Sequence, residues 1–329
     1  MKAFSPIQWQ LLEHLADGQC HSGNALGALC GVSRTAIWKQ IKQLTGMGLA
    51  ITCLPQQGYQ LTRPFIPLDE ERIRRHLTLQ ALPMQFHLPL EVDSTNRFLK
   101  ELPADDRLHI CAAEKQTQGR GRFGRQWHSP FGENIYLSTR WKLDCCLSTL
   151  SGLSLVTSLA ILDSLTTLLG EHDVRVKWPN DLLWQDKKLC GVLIEIVAES
   201  NASAQVIIGI GLNVNLDMRS VPASVGPGPW CSLHDISGRY FDRNQVIAVL
   251  LESQARYLRQ FLQHDFAFFM EEWQRFDYLQ GRYVTSTQAG KTLSGCVTGV
   301  NDQGHLCLLD DEGQMQVLSS GDTSLKQGL

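Results

Sequence analysis

At 329 residues, 43% hydrophobic and 19% charged, the chain has the ordinary balance of a soluble globular protein with two or three domains, and no apolar run approaches the ~20 residues that cross a bilayer. Gln8, Gln10, Glu13 and His14 break the opening stretch that a signal peptide would keep apolar, and ten cysteines without any C-x-x-C pair (only Cys145 and Cys146 are close) argue against a disulfide framework or a zinc site, so reduced thiols in the cytoplasm are expected. The net charge of −3 is unevenly divided: residues 1–63 carry five basic against two acidic residues, +3, which leaves −6 on the other 266.

That basic module opens with Ser5-Pro6, an N-cap acceptor followed by proline at the first helical position. Ile7, Leu11, Leu12 and Leu15 then recur at helical spacing until Gly18. Ser22 can cap a second helix from Gly23 to Cys30, Gly31-Val32 make a tight turn, and Ser33 caps a third helix with Ile37, Ile41 and Leu44 on its inward stripe. Ser33, Arg34, Thr35, Trp38, Lys39 and Lys42 occupy the other faces, hydroxyls and cations suited to phosphates and base edges. Two extended runs around Pro55-Gln56-Gln57-Gly58 have the size of a wing. The pattern resembles a winged helix-turn-helix that binds DNA; the competing reading is a small helical module for protein contacts, with an incidental charge. Thr62 to Leu68, with two prolines and no periodicity, reads as a linker and boundary.

Further along, Gly119, Gly121 and Gly124 match the spacing of a dinucleotide-binding turn, but that turn needs a helix directly after it, and Pro130 and Gly132 forbid one. Arg120, Arg122 and Arg125 on this glycine backbone still ask for an anion, because guanidinium forks bind phosphate or carboxylate in bidentate fashion. An RNA-binding Gly-Arg tract would be repetitive, whereas this is one copy between the strand-like runs HICAAEK and NIYLSTRW, which favours a ligand loop. Leu150 to Leu169 carries a helical apolar stripe closed by Gly170. From Val174 the chain reads as a strand, a turn at Gln185 to Lys188, and a second strand in which Gly191 permits close approach; Lys177, Asn180, Asp181, Lys187 and Lys188 concentrate polar chemistry there, although a lysine in a hairpin turn is usually just solvated. Val206 to Asn215 is a buried strand with Gly209, Gly211, Asn213 and Asn215, either a ligand-facing element or a core strand that needs small residues. Met218 to Trp230 is either plain linker or a loop that orders over a ligand. Asp242 with Gln245 makes a capping-box-like start for a helix to about Phe261. Short β-like runs from about Phe276 suit a small SH3-like barrel. The class is α+β, with expected domains at 1–63, 64–275 and 276–329.

Taken in order, Asp93-Ser94-Thr95-Asn96, Gln116 with the loop GRGRFGR, Lys177-Trp178-Pro179-Asn180-Asp181, Lys188-Leu189-Cys190-Gly191 and IGIGLNVN from Ile208 to Asn215 resemble the biotin–protein ligase family, in particular its bifunctional bacterial branch, over essentially the whole chain. The resemblance implies an enzyme that activates biotin with MgATP as biotinyl-5′-AMP and passes it to a lysine of the biotin carboxyl carrier protein of acetyl-CoA carboxylase. It also implies a repressor of biotin-synthesis genes whose corepressor is that adenylate, binding operator DNA as a homodimer. By the same correspondence Lys188, Arg120, Arg122 and Asp181 serve catalysis, with Lys188 at the carboxylate–phosphate junction. Ser94, Thr95, Asn96, Gln116, Gly119, Gly121 and Gly191, with the two arginines and Lys188, hold biotin. Arg125, Trp127, Lys177, Asn180, Gly209, Gly211, Asn213 and Trp230 hold ATP or the adenylate, and no protein-bound metal is implied. Phe123 departs from the family loop, which has a further arginine there. The rivals are a lipoate or octanoate ligase, disfavoured by KWPND and by Ser94, Thr95 and Gln116, and a non-catalytic sensor, disfavoured by Lys188, Arg120 and Arg122.

Overall fold

The computed structural model describes residues 4–78, 83–145, 147–199, 203–217, 229–288, 291–319 and 322–325. In the N-terminal module α1 (Pro6–Leu15) begins at Ser5, whose hydroxyl accepts from the Gln8 N–H while the Gln8 side chain returns to the Ser5 N–H. α2 (Gly23–Cys30) is capped by Ser22 and stopped by Gly31 at φ 65°, and α3 (Arg34–Met47) is capped by Ser33 and stopped by Gly48. β1 (Ile51–Leu54) and β2 (Gly58–Leu61) pair antiparallel as the wing. His21 exchanges both backbone hydrogen bonds with Tyr59, so a piece of the α1–α2 connection becomes a third rail of the wing. A Cβ at Gly58 would lie 2.0 Å from the His21 carbonyl oxygen, so only glycine fits that approach.

The boundary segment after the wing is fastened on both sides rather than left loose. Phe65 sits among Phe4 and Phe131, with the Arg243 guanidinium over its ring at 5.4 Å, and the core of the module runs on into Leu90 and Phe131. The Leu68 N–H donates to Glu114, Arg243 donates to the Ile66 carbonyl and Asn244 to the Pro67 carbonyl. Glu114 and Arg243, each 2% exposed, face one another at 2.6 Å; removing either from such a pair costs ~3–5 kcal/mol because the other charge is left buried.

The central domain runs through α4 (Glu70–Arg75), β3 (Met84–His87), β4 (Glu91–Val92), α5 (Thr95–Lys100), β5 (Leu108–Ala113), β6 (Lys115–Gln116), β7 (Ile135–Leu143), α6 (Leu153–Leu169), β8 (Arg175–Lys177), β9 (Asp181–Trp184), β10 (Lys187–Glu199), β11 (Ala204–Leu212), α7 (Leu233–Ser237), α8 (Arg243–His264) and α9 (Met270–Phe276). Seven strands form one mixed sheet in the order β3-β5-β7-β11-β10-β9-β8, parallel only between β3 and β5. Because side chains alternate across a sheet, its two faces differ. Ile110, Leu137, Ile208, Ile210 and Val192 join α6 and α8 in the main core. On the other face Cys111 and Ile207 pack under Leu99 of α5.

Three local expectations change. The run from Val174 is not one strand: proline at 179 cannot donate to a ladder, and β8 pairs back on β9 with Lys177 opposite Asp181. α6 starts at Leu153 rather than Leu150, because Gly152 takes a left-handed conformation in front of it. Asp242 caps α8 through Asn244, from which it receives both the backbone and the side-chain N–H, so the box with Gln245 does not form.

The C-terminal part is a small antiparallel sheet of β12 (Tyr283–Gln288), β13 (Lys291–Val300), β14 (Leu306–Leu309), β15 (Met315–Leu318) and β16 (Asp322–Leu325), in the order β15-β14-β13-β12-β16. It docks on the turn between β8 and β9: the buried Trp178 indole donates to the Gly304 carbonyl, and the Thr323 hydroxyl donates to the Trp178 carbonyl.

Candidate functional site

The face of the sheet away from α6 and α8 is floored by glycine. Strand register sets Gly191 beside Gly211, Leu193 beside Gly209, and Gly209 beside Ser138 of β7. Each missing side chain is replaced by one from elsewhere. A Cβ on Gly209 would meet Asn96 Oδ1 at 2.3 Å, one on Gly211 the Trp127 ring at 2.6 Å, and one on Gly191 Trp127 at 3.2 Å and Lys188 at 3.3 Å. A Cβ on Gly119 would stand 2.5 Å from the Trp127 carbonyl and 2.7 Å from Ser129 Oγ. These glycines are therefore the room in which the site is assembled.

At one end of the floor, Ser94, Thr95 and Asn96 begin α5 and are buried. Ser94 stands at the N-cap yet its hydroxyl makes no capping bond. Thr95 donates through its backbone N–H and its hydroxyl to Gln116 Oε1, at 2.9 and 3.2 Å, and Gln116 Nε2 donates to Ser129 Oγ. Ser138, fully buried, lies 2.6 Å from Asn96 Oδ1 and 2.7 Å from Thr95 Oγ1. The result is a chain of uncharged donors and acceptors, fixed before any ligand arrives.

The other end is charged. Lys188 Nζ lies 2.7 Å from Asp181 Oδ1, each about a quarter exposed, and 5.4 Å over the Trp127 ring. Trp127 meets Trp230 edge to face at 5.3 Å, and Lys188 forms backbone hydrogen bonds with Pro229 and Cys231 on either side of Trp230. Of the stretch Met218 to Trp230, only Pro229 and Trp230 fall within the described residues, so its expected ordering lies outside them. Asn213 donates to the Cys231 carbonyl, and its own Oδ1 accepts from the buried Asn134. Asn180 is held by Val192 through backbone and side chain and accepts from Arg122 at 3.3 Å. Arg120 points across the floor to Glu195 at 3.5 Å. Arg125 is exposed at the end of the loop, while Lys177 faces Asp181 across the β8–β9 turn. Gly119 and Gly121 hold the loop by backbone bonds with Trp127 and Arg125. Phe123, at φ 54°, is 66% exposed, with the Arg122 guanidinium over its ring at 4.9 Å.

Two thiols adjoin this end, and neither suits nucleophilic work. Complete burial pushes Cys190 far above the usual thiol range, and burial pushes Cys231 up to about 12, so both stay protonated.

Sequence reasoning named the loop, α5, Gln116 and the β9–β10 residues but missed Glu195, Ser138, Ser129 and Asn134. Glu195 had a signal: it lies four residues from Gly191, on the same face of an alternating strand. Ser138 is visible only once β7 is set against Gly209.

A second surface lies on the N-terminal module. Ser33, Arg34, Thr35, Trp38, Lys39 and Lys42 are exposed on α3, opposite its buried stripe. Lys42 Nζ stands 5.3 Å over the Trp38 ring. Gly27 lets α2 approach the turn before α3: a Cβ there would meet the Val32 carbonyl oxygen at 2.7 Å. The helix pair is thus closely packed, with the cationic residues and Trp38 outward.

Family models match in three places: the Biotin/lipoate A/B protein ligase family over residues 89–213, an HTH domain over 8–60, and the Biotin protein ligase C terminal domain over 281–326. The chain is 37% identical over 324 residues to the bifunctional ligase/repressor BirA of Escherichia coli, covering 97% of both chains. It is 32% identical over 263 residues to the biotin–[acetyl-CoA-carboxylase] ligase of Mycobacterium tuberculosis, covering 78% of this chain and 95% of that one. Among solved structures, the biotin protein ligase from Aquifex aeolicus in complex with biotin and ATP matches with a TM-score of 0.63 and 29% identity, over 74% of this chain and 99% of that chain.

Proposed function

We propose a mechanism for a chain that belongs to the biotin–protein ligase family, in its bifunctional ligase/repressor branch. The protein is a biotin–protein ligase that uses ATP, and it carries a helix-turn-helix repressor module. Its partners are a biotin-dependent carboxylase and DNA. Among the described residues no helix is long and apolar enough to cross a membrane. From the likeness to the Escherichia coli ligase/repressor we infer the cytoplasm, where DNA and ATP are at hand, as its place of work.

The observation that carries the mechanism is one glycine-floored face with a neutral hydrogen-bonding end and a cationic end. Biotin's ureido ring is uncharged and needs both donors and acceptors, which Ser94, Thr95, Asn96 and Gln116 supply; a lipoyl or octanoyl tail has no use for them. Gly119, Gly121 and Gly191 keep backbone close to the ring system. In the first half-reaction a biotin carboxylate oxygen attacks the α-phosphorus of ATP and pyrophosphate leaves. Two anions must meet, so Arg120, Arg122 and Lys188 screen their repulsion and the charge that develops. Lys188 sits at the junction, and Arg125 and Lys177 face the phosphates. Asn213 reads adenine, while Trp127, seated on Gly211, and Trp230 flank the bound adenylate; Asn180 holds Arg122 in place. Asp181 and Asn180 are oxygen donors of the kind a Mg2+ carried on a triphosphate accepts, and that ion would neutralise part of the phosphate charge. In the second half-reaction a lysine amine of the carrier attacks the acyl carbonyl and AMP departs. Asp181 orients that amine once the anionic adenylate draws Lys188 away from it.

For the repressor, Ser33, Arg34, Thr35, Trp38, Lys39 and Lys42 meet DNA. One winged helix covers one half-site, so we infer a homodimer, formed when the adenylate neutralises and orders the Gly119–Trp127 loop and presents the exposed Phe123 at a subunit interface. Transfer to the carrier empties the site and returns the monomer. The enzymatic reading is tested by incubating the purified protein with biotin and MgATP: biotinyl-AMP and pyrophosphate should appear together, and their absence with both substrates bound would overturn it.

A further inference from the structure

We propose that Glu195 is a positioning residue of the biotin pocket: one carboxylate on β10 that clasps the glycine–arginine loop to the start of α5. The proposal rests on the reading of this pocket as the biotin site. Glu195 Oε2 accepts from Asn96 Nδ2 at 2.8 Å, and Oε1 faces Arg120 Nη1 at 3.5 Å. Asn96 is the fixed end. It is 3% exposed, receives Ser138 on its Oδ1, donates also to the Leu193 carbonyl, and fills the space where Gly209 lacks a side chain.

The loop is the other end. Its backbone bonds, Gly121 to Arg125 and Trp127 to Gly119, close the loop on itself. Arg120 to Glu195 and Arg122 to Asn180 instead cross from it to the β9–β10 side of the sheet. A neutral acceptor would satisfy Asn96 equally well. A carboxylate, its side chain 20% exposed beside a site for two anions, opposes their binding unless its charge has a purpose. Arg120 supplies that purpose. A guanidinium has five N–H donors, so Arg120 can keep Glu195 on one nitrogen and offer the rest to biotin's carboxylate or the phosphate. With the clasp closed, loop and α5 hold the ligand from both sides.

Glu195→Gln separates the two tasks, since it keeps the acceptor for Asn96 and removes the charge that holds Arg120. In the full-length protein, release of preformed biotinyl-AMP into a chase of unlabelled adenylate should accelerate roughly two- to five-fold, the range of a partly exposed ion pair. The KM for biotin should rise in parallel, and kcat at saturating substrate should fall by a smaller factor than KM rises, since Arg120 loses its anchor but stays in the site. Added salt should speed release from both proteins, and by a smaller factor in the variant, which has lost the ion pair of the clasp. Trypsin should cut the ligand-free variant faster after Arg120, Arg122 or Arg125. Glu195→Asp, which keeps the charge on a shorter arm, should fall between the two, and it carries the test if the glutamine variant does not fold. Release, KM and proteolysis indistinguishable from wild type would overturn the clasp, as would a loss confined to kcat. A wild type that forms no biotinyl-AMP under the same conditions would instead overturn the pocket assignment itself.

Discussion

Replacing Lys188 with alanine does two things at once. It removes the cation proposed for the point where carboxylate and α-phosphate meet, a contact of the kind whose loss costs about 10²-fold in rate. It also strips Asp181 of the ion pair at 2.7 Å and leaves a bare carboxylate where two anions must approach. At roughly 6 Å and an effective dielectric constant of about 20, one such charge repels another by ~3 kcal/mol, a second factor of about 10². Both side chains are about a quarter exposed, so solvent trims the second factor. Lys188→Ala should therefore slow single-turnover adenylate formation by about 10²- to 10⁴-fold, while biotin affinity, which rests on the neutral end, changes less. Adding Asp181→Asn to it should restore about tenfold at saturating Mg2+, because the stranded charge is gone while the amide oxygen remains a donor to the ion. The assay is quenched-flow pyrophosphate release with mass detection of biotinyl-AMP. A single variant within about threefold of wild type removes Lys188 from the chemistry, and a double variant slower than the single refutes the electrostatic reasoning.

Gly211→Ala puts a methyl 2.6 Å from the Trp127 ring and should cost ~1–3 kcal/mol of overpacking, seen as a lower melting temperature and weaker adenylate binding together; unchanged adenylate affinity would remove Trp127 from that site. Lys39→Ala or Lys42→Ala should weaken DNA binding to all sequences alike and flatten its salt dependence by about one phosphate contact, a result that a sequence-selective loss would contradict. Deleting residues 1–63 should abolish DNA binding yet leave adenylate formation; because Phe65 and Phe131 lose their cover, the truncated protein should also melt at a lower temperature, and failure to form adenylate would mean the two parts are coupled more tightly than proposed. Sedimentation across concentration should show dimer only with biotinyl-AMP present, and an equilibrium blind to the adenylate would leave Phe123 needing another role.

The parts of the fold written in neighbouring residues were legible. Ser5, Ser22 and Ser33 set helix starts and Gly31 a helix stop because caps are local chemistry. The glycine–arginine loop was legible as a unit for the same reason, since its three glycines and three arginines fall within seven residues. What escaped depends on which strands become neighbours. Ser138 matters only because β7 lies against Gly209, and Glu195 only because its side of β10 lies near both Asn96 and Arg120. The hairpin at Trp178-Pro179 had a signal, a proline that cannot donate to a ladder, but the strand-like residues on both sides of it read as one strand until β8 is seen paired with β9. The boundary segment looked plain because Phe65 and Leu68 find their partners some 50 to 180 residues away, in Glu114, Phe131 and Arg243.

One measurement tests the account most directly. Protein charged with biotin and MgATP is freed of both, leaving enzyme-bound biotinyl-AMP, and is then mixed with an unmodified carrier domain and no ATP. The account predicts that one lysine of the carrier gains biotin by mass and that AMP is released in equal amount. A carrier that stays unmodified while the adenylate persists on the protein or decays to free biotin would contradict it.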